Sequence, residues 1–171
     1  VVTESPVDYS KSVFAKYGLS PEKRVLFGTA ANMNYAVVES KEYRDLQVVA
    51  ISTGGVKKNA GRAGDPATIY EKDGKFISAK CEVDEPCGTI NTIIIINKEL
   101  THGAMAMSIV NASEAKAASL QELTVNSHYS CGLATGTGTD QIGIASRLTG
   151  ETPLTSAGKH TKLGELIGLT V

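Results

Sequence analysis

The chain has 171 residues, 42% of them hydrophobic and 20% charged, proportions that suit a globular domain with its own core and exclude a disordered segment. Seventeen basic residues against eighteen acidic ones leave a formal net charge of −1, which offers no attraction to nucleic acid or to an anionic membrane surface. The longest apolar run, residues 93–96, falls far short of the ~20 residues that a membrane span needs.

In chain order, a polar opening contains a short predicted helix over 10–17 that stops at Gly18. Residues 24–30 (RVLFGTA) read as a strand. Two further β-branched runs, 35–39 and 46–52, read as strands joined by the charged stretch 40–45. Residues 53–66 (TGGVKKNAGRAGDP) have four glycines and no apolar period, the composition of a loop. Asp73-Gly74 between short β-like runs predicts a hairpin turn. Residues 89–97 (TINTIIIIN) are the clearest strand, and four successive isoleucines leave it no polar face, so the centre of a sheet covered on both sides is expected. Thr101 is placed to cap a helix over about 103–123, whose small residues permit close packing on a sheet. A second glycine-rich loop, 130–140, precedes a strand over 141–146, and a last helix starts near Thr161. Strands interleaved with a long helix predict an α/β layering: a single domain over 1–171 with a mixed sheet, a central Ile-rich strand and antiparallel pairing of the early strands.

Residues 131–140 (CGLATGTGTD) concentrate the chemistry. Gly132, Gly136 and Gly138 allow a close backbone approach, and successive N–H groups can form an anion-binding nest or an oxyanion hole. The loop lacks the GK[ST] of a P-loop and precedes a strand, so a phosphate-binding nucleotide domain is disfavoured. The first loop places Asn59, Arg62 and Asp65 within seven residues, and two polar glycine-rich loops in one domain suggest a shared pocket; surface turns are the plain alternative for both. His160, near the start of the last helix, is a candidate base or an ordinary cap. On the long helix Asn111 and Glu114 share a face, while Lys116 projects opposite Glu114, so those two cannot serve one compact site. The three cysteines (81, 87 and 131) have no CxxC spacing and the three histidines are scattered, so no metal site is predicted. Cys131 borders the loop without a nearby histidine and reads as inert. Reduced thiols and the lack of a signal-like opening predict a cytoplasmic protein.

Taken in order, STGGVKKNAGRAGDPA (52–67), GTINTIIIIN (88–97), NASEAKAASLQEL (111–123), SCGLATGTGTDQI (130–142) and AGKHTKLGELIG (157–168) resemble the adenosylcobinamide amidohydrolases, enzymes of corrinoid salvage in archaea and some bacteria. The likeness runs over about 24–168. It implies hydrolysis of the amide between the corrin side-chain carbonyl and aminopropanol, giving adenosylcobyric acid. It brings no cofactor, since cobalt enters only within the corrinoid substrate. Two departures stand out: the region before Arg24 is short and polar, and Cys131 is not a fixed part of the family's motif.

Amide hydrolysis needs an activated nucleophile, an oxyanion stabiliser and a proton for the leaving amine. The residues offer backbone N–H groups of the loop through Thr135, Gly136, Gly138 and Thr139 for the oxyanion, Asp140 or His160 to activate water, and Glu114 or His160 to protonate the nitrogen. Thr137 or Thr139 as nucleophile is the second arrangement. Asn59, Arg62, Asp65 and Asn91 are assigned to the amide-rich corrin rim. A bulky tetrapyrrole calls for a broad groove, and pairing with a second copy would complete one, so a homo-oligomer is predicted. The contrasting reading is a non-catalytic corrinoid- or tetrapyrrole-binding module of the same fold.

Overall fold

A computed structural model describes residues 6–20, 24–67, 69–78, 88–149 and 152–171. The main sheet has the order β1-β2-β6-β8, formed by β1 (Val37–Tyr43), β2 (Leu46–Gly54), β6 (Ile90–Glu99) and β8 (Gln141–Arg147). β1, β2 and β6 are antiparallel neighbours, and β6 and β8 are parallel, joined through α2 (His102–Glu122). The expected mixed α/β sheet with a central isoleucine strand is therefore present. α1 (Pro6–Lys16) ends at Gly18, whose φ of +64° turns the chain so that the Leu19 N–H reaches the Phe14 carbonyl at 2.8 Å. Asp73 and Gly74, at φ +51° and +71°, make the left-handed turn between β4 (Ile69–Lys72) and β5 (Lys75–Ser78), as the Asp-Gly pair predicts.

α2 and α3 (Lys162–Thr170) lie on one face of the sheet. Thr101 caps α2, its hydroxyl accepting from the Ala104 N–H, and Thr161 caps α3 through the Gly164 N–H. Ala104, Ser108 and Ala112 recur every four residues on the buried side of α2, so the small-residue expectation holds. Val48, Ala50, Ile94 and Ile96 meet Leu163, Leu166 and Ile167 of α3 in the main core. Asn111 is buried and donates to the Gly164 carbonyl at 2.6 Å, tying α2 to the start of α3.

Three expectations need correction. Residues 24–30 form no strand; they cross the sheet as an extended segment, where the Gly28 carbonyl accepts from Asn91 Nδ2 at 2.9 Å and the Phe27 ring lies over Gly143. Phe27 packs there without a ladder, while Val25 is largely exposed. Most of the charged stretch 40–45 belongs to β1, because an edge strand with one wet face accepts charges, and the turn shrinks to Arg44 and Asp45, Arg44 having φ +55°. Finally, β6 is covered unequally on its two faces: Ile94 and Ile96 are fully buried beneath α3, whereas on the opposite face residues 27 and 28 reach Gly143 and Asn91 and leave Ile93 and Ile95 39% and 43% exposed. Cys81 and Cys87 lie outside the described residues.

Candidate functional site

The two glycine-rich loops meet through a short antiparallel ladder, β3 (Ala60–Gly61) with β7 (Gly136–Thr137). The Thr135 N–H adds a bond to the Gly61 carbonyl and the Ala63 N–H one to Thr135 Oγ1, both at 2.9 Å. Two segments some 75 residues apart in sequence thus share one polar platform at the end of the sheet where β2 finishes and β6 and β8 begin.

Asp140 is the knot of that platform. Its carboxylate accepts from the Ile90 N–H at 3.0 Å, the Thr137 N–H at 2.9 Å and the Thr137 hydroxyl at 2.5 Å, and it pairs with Lys116 Nζ. The Asp140 and Lys116 side chains are only 10% and 15% exposed, a setting in which a lone charge would be costly and a matched pair is held firmly. Gly136 is the floor: a Cβ there would stand 2.7 Å from Lys116 Nζ and closer still to the Asp140 carboxylate. The Thr137 hydroxyl also receives the Thr139 N–H at 3.3 Å. Beside this cluster, the Gly88 carbonyl accepts from Asn59 Nδ2 and, at 3.2 Å, from the Thr139 hydroxyl, while the Thr89 hydroxyl donates to the Thr139 carbonyl at 2.8 Å. Gly88 has φ +141° and no room for a side chain against the Gly55 backbone, so this crossing depends on glycine.

The remaining predicted residues divide into two sets. Arg62 and Asp65 secure the first loop to the second: Arg62 Nη1 donates to the Leu133 carbonyl at 3.1 Å, and Asp65 accepts from the Ser127 hydroxyl at 2.6 Å, the Ser130 hydroxyl and the Arg62 N–H at 2.6 Å. Those three donors, the serines first, hold the Asp65 carboxyl below its usual range. A carboxylate with a lowered folded pKa adds stability above its unfolded value of about 3.9 and loses it as pH falls through the folded value. Thermal melts between pH 6 and pH 3 are therefore expected to fall more steeply for the native chain than for Asp65→Asn, most visibly below pH ~4; parallel slopes would remove Asp65 from the loop clamp.

Asn59 and Asn91 are 2% and 7% exposed, and their amide groups are spent on the Gly88 and Gly28 carbonyls; Asn59 Oδ1, Asn91 Oδ1 and the hydroxyl of Thr53, the cross-strand neighbour of Asn91, find no protein partner. Glu114 and His160 sit elsewhere, on the α3 side of α2. Glu114 is half exposed and pairs with Lys159 at 2.5 Å, and His160 is exposed in the turn before α3. Gly138 is exposed at the loop tip, and Cys131 is an exposed free thiol.

Lys116 is the residue that sequence reasoning passed over. Helical spacing correctly set it opposite Glu114, but a lysine in mid-helix carries no mark of the partner it will find. Besides gripping Asp140, it lines a groove of about 440 Å³ between the sheet and the C-terminal ends of α2 and α3, bordered also by Tyr35, Glu39, Ile90, Leu120 and Leu123. Among the described residues no group of three or more His, Cys, Asp or Glu side chains is arranged to hold a metal ion, and no helix is long and apolar enough to cross a membrane.

Comparison with known proteins identifies a family and a curated relative. Residues 1–171 match the family described as adenosylcobinamide amidohydrolase. An uncharacterized protein of Methanocaldococcus jannaschii is 41% identical over 169 residues, an alignment covering 96% of this chain and 66% of that protein. The chain thus spans just under two thirds of the length of that curated relative. No solved structure matches the chain significantly.

Proposed function

Because the chain belongs to the adenosylcobinamide amidohydrolase family, we propose that it hydrolyses the amide linking the corrin side-chain carbonyl to aminopropanol in adenosylcobinamide, a salvage reaction of cobalamin synthesis. The observation that carries this reading to a chemical centre is the Thr137 hydroxyl, 2.5 Å from a carboxylate that Lys116 and two backbone N–H groups hold in place. A hydroxyl on a positioned base is the arrangement of an activated nucleophile.

In the proposed sequence Thr137 Oγ1 attacks the amide carbonyl carbon while Asp140 takes its proton. The Gly138 N–H, on the open side of the loop, receives the negative oxygen of the tetrahedral adduct. Collapse breaks the C–N bond, the proton on Asp140 passes to the nitrogen, and aminopropanol leaves; the corrinoid remains as an ester on Thr137. Water then loses a proton to Asp140 and splits the ester, giving adenosylcobyric acid and restoring the hydroxyl. Lys116 keeps Asp140 aimed throughout. Thr139 steadies the loop, and the platform around Arg62, Asp65 and Thr135 faces the corrin rim. Asn59 and Asn91 support that platform from beneath. Glu114 and His160, on the far side of α2, take no part in this sequence, which sets aside water activated by His160.

Incubating the purified chain with adenosylcobinamide and separating the products by chromatography tests the reading. Appearance of adenosylcobyric acid supports it. Tight retention of the corrinoid without turnover would turn the assignment to a non-catalytic binding module.

We also propose that two copies pair through the sheet face opposite α2 and α3, beyond the patch that residues 27 and 28 cover, where Ile93, Ile95 and Val38 are 39%, 43% and 62% exposed. A contiguous apolar sheet face in water is the usual mark of a contact surface. Light scattering is expected to give the mass of two chains, and Ile95→Lys that of one; a single-chain mass for the native protein would dismiss the pairing. A cytoplasmic location completes the reading.

A further inference from the structure

We infer that the oxygens without a protein partner behind the platform, at the end of β2, form a site for a monovalent cation, potassium or sodium. Three of them belong to side chains of deeply buried residues: Asn59 Oδ1, Asn91 Oδ1 and Thr53 Oγ1, at residues 2%, 7% and 6% exposed. Both amides are fixed in orientation. The Asn59 nitrogen is on the Gly88 carbonyl and the Asn91 nitrogen on the Gly28 carbonyl, so turning either amide would set oxygen against oxygen. Each Oδ1 is therefore an acceptor only. The Gly55 carbonyl is a fourth oxygen that receives no donor among the described residues.

The four oxygens lie close together. Thr53 and Asn91 are cross-strand partners in β2 and β6, so their side chains share one face with Cβ atoms about 5 Å apart. Two residues on, about 7 Å along the strands, the Gly55 N–H bonds to the Thr89 carbonyl, and Gly88 packs against Gly55. A Cβ on Gly88 would stand 2.6 Å from Asn59 Oδ1 and closer still to the Gly55 oxygen, which puts those two oxygens within about 5 Å of each other. Ligand oxygens at about 2.3–2.6 Å from one ion span such a distance. Charge and number then select the occupant. None of the four is a carboxylate, and Asp140 is already committed to Lys116, Thr137 and Ile90, so a divalent ion would lack the negative charge it needs. A single water brings two protons to three fixed acceptors, whereas neutral carbonyl oxygens are the ligands that hold an alkali cation. Gly55 is only half-buried, so solvent can complete the shell. Such an ion would tie the first glycine-rich loop to the strand end that carries Thr89 and Ile90 beneath Asp140.

The test is thermal melting of the full chain in choline chloride, sodium chloride and potassium chloride at equal ionic strength. Its readout does not depend on the reaction proposed above. At about a hundred times its Kd, sodium or potassium is expected to raise the melting temperature by about 5–10 °C over choline, and the rise should saturate. Thr53→Val keeps the β-branched shape that suits a strand and removes only the hydroxyl. In choline chloride it is expected to melt at or above the native temperature, because a methyl replaces a buried hydroxyl that has no partner. In the alkali salts most of the native rise should vanish. Equal melting of the native protein in all three salts, or a rise that Thr53→Val leaves intact, would leave these oxygens to water and overturn the site. A Thr53→Val that already melts well below the native protein in choline chloride would give the hydroxyl a partner other than the ion, and ends the proposal too.

Discussion

Thr137→Ala is expected to reduce release of adenosylcobyric acid by at least ~10³-fold, while Thr137→Ser retains measurable turnover, because only the second keeps a hydroxyl on Asp140. The structural cost of the alanine is small beside that loss. It removes one bond to the Asp140 carboxylate and one acceptor for the Thr139 N–H, whereas the Lys116, Ile90 and Thr137 N–H contacts to Asp140 remain. About 1–3 kcal/mol of stability is at stake, so the variant should fold. Asp140→Asn behaves differently: it leaves the largely buried Lys116 charge unmatched, and about 3–5 kcal/mol is the usual toll for breaking such a pair from one side. The two variants therefore separate chemistry from support. An ester on Thr137 would also be caught as a mass increase in quenched native protein and be missing from Thr137→Ala. Full turnover by the alanine variant would dismiss the threonine and return the nucleophile's role to water.

Gly164→Ala is expected to lower the melting temperature by about 6–12 °C, that is, ~3 kcal/mol at roughly 2–4 °C per kcal/mol for a domain of this size. Gly164 stands at the start of α3, fully packed against residues 157 and 158. A Cβ would land on the Gly158 carbonyl and stand 2.7 Å from the Ala157 carbonyl oxygen. Both obstacles are backbone, so no rotamer relieves them. Asn111 donates to the Gly164 carbonyl from α2, and Leu163, Leu166 and Ile167 follow into the core, so displacing this one turn loosens the whole docking of α3. Gly168→Ala is the control: the same helix, exposed, with nothing within 4 Å of the added carbon. It should raise stability by about 0.5–1 kcal/mol through helix propensity alone. Followed by circular dichroism, opposite signs for the two variants are the expected result, and equal shifts would mean that α3 is not seated as described.

Much of this architecture is legible in the residues. TINTIIIIN announces β6, Thr101 and Thr161 announce their helices, and Asp73-Gly74 announces a hairpin, because each depends on local propensity or capping. What stays hidden depends on partners distant in sequence. Residues 24–30 have the composition of a strand, and only Asn91 and Gly143, over sixty residues away, reveal that they pack without a ladder. Isoleucines at 93 and 95 look the same as those at 94 and 96 until one knows that α2 and α3 lie on the face of 94 and 96. At the site the loops were visible from their glycines, and so was Asp140. That Asp140 would hold Thr137 and Lys116, and that Glu114 and His160 would fall on the other side of α2, required the helix to be set against the sheet.

The parallel contact between β6 and β8 has a consequence for how the molecule folds. β1 and β2 are joined by two residues and can close on the microsecond scale of a hairpin, and β2 then offers an edge to β6. β8 has no such shortcut: it reaches β6 only after α2 has formed and crossed back, with about fifty residues between partners such as Asn91 and Gln141. Ala60 with Thr137 and Ile90 with Asp140 span comparable or longer distances. The cluster around Asp140 is thus assembled in the closing step of folding, and the backbone amides of Ile90 and Thr137 should gain protection from hydrogen exchange later than those of β1 and β2.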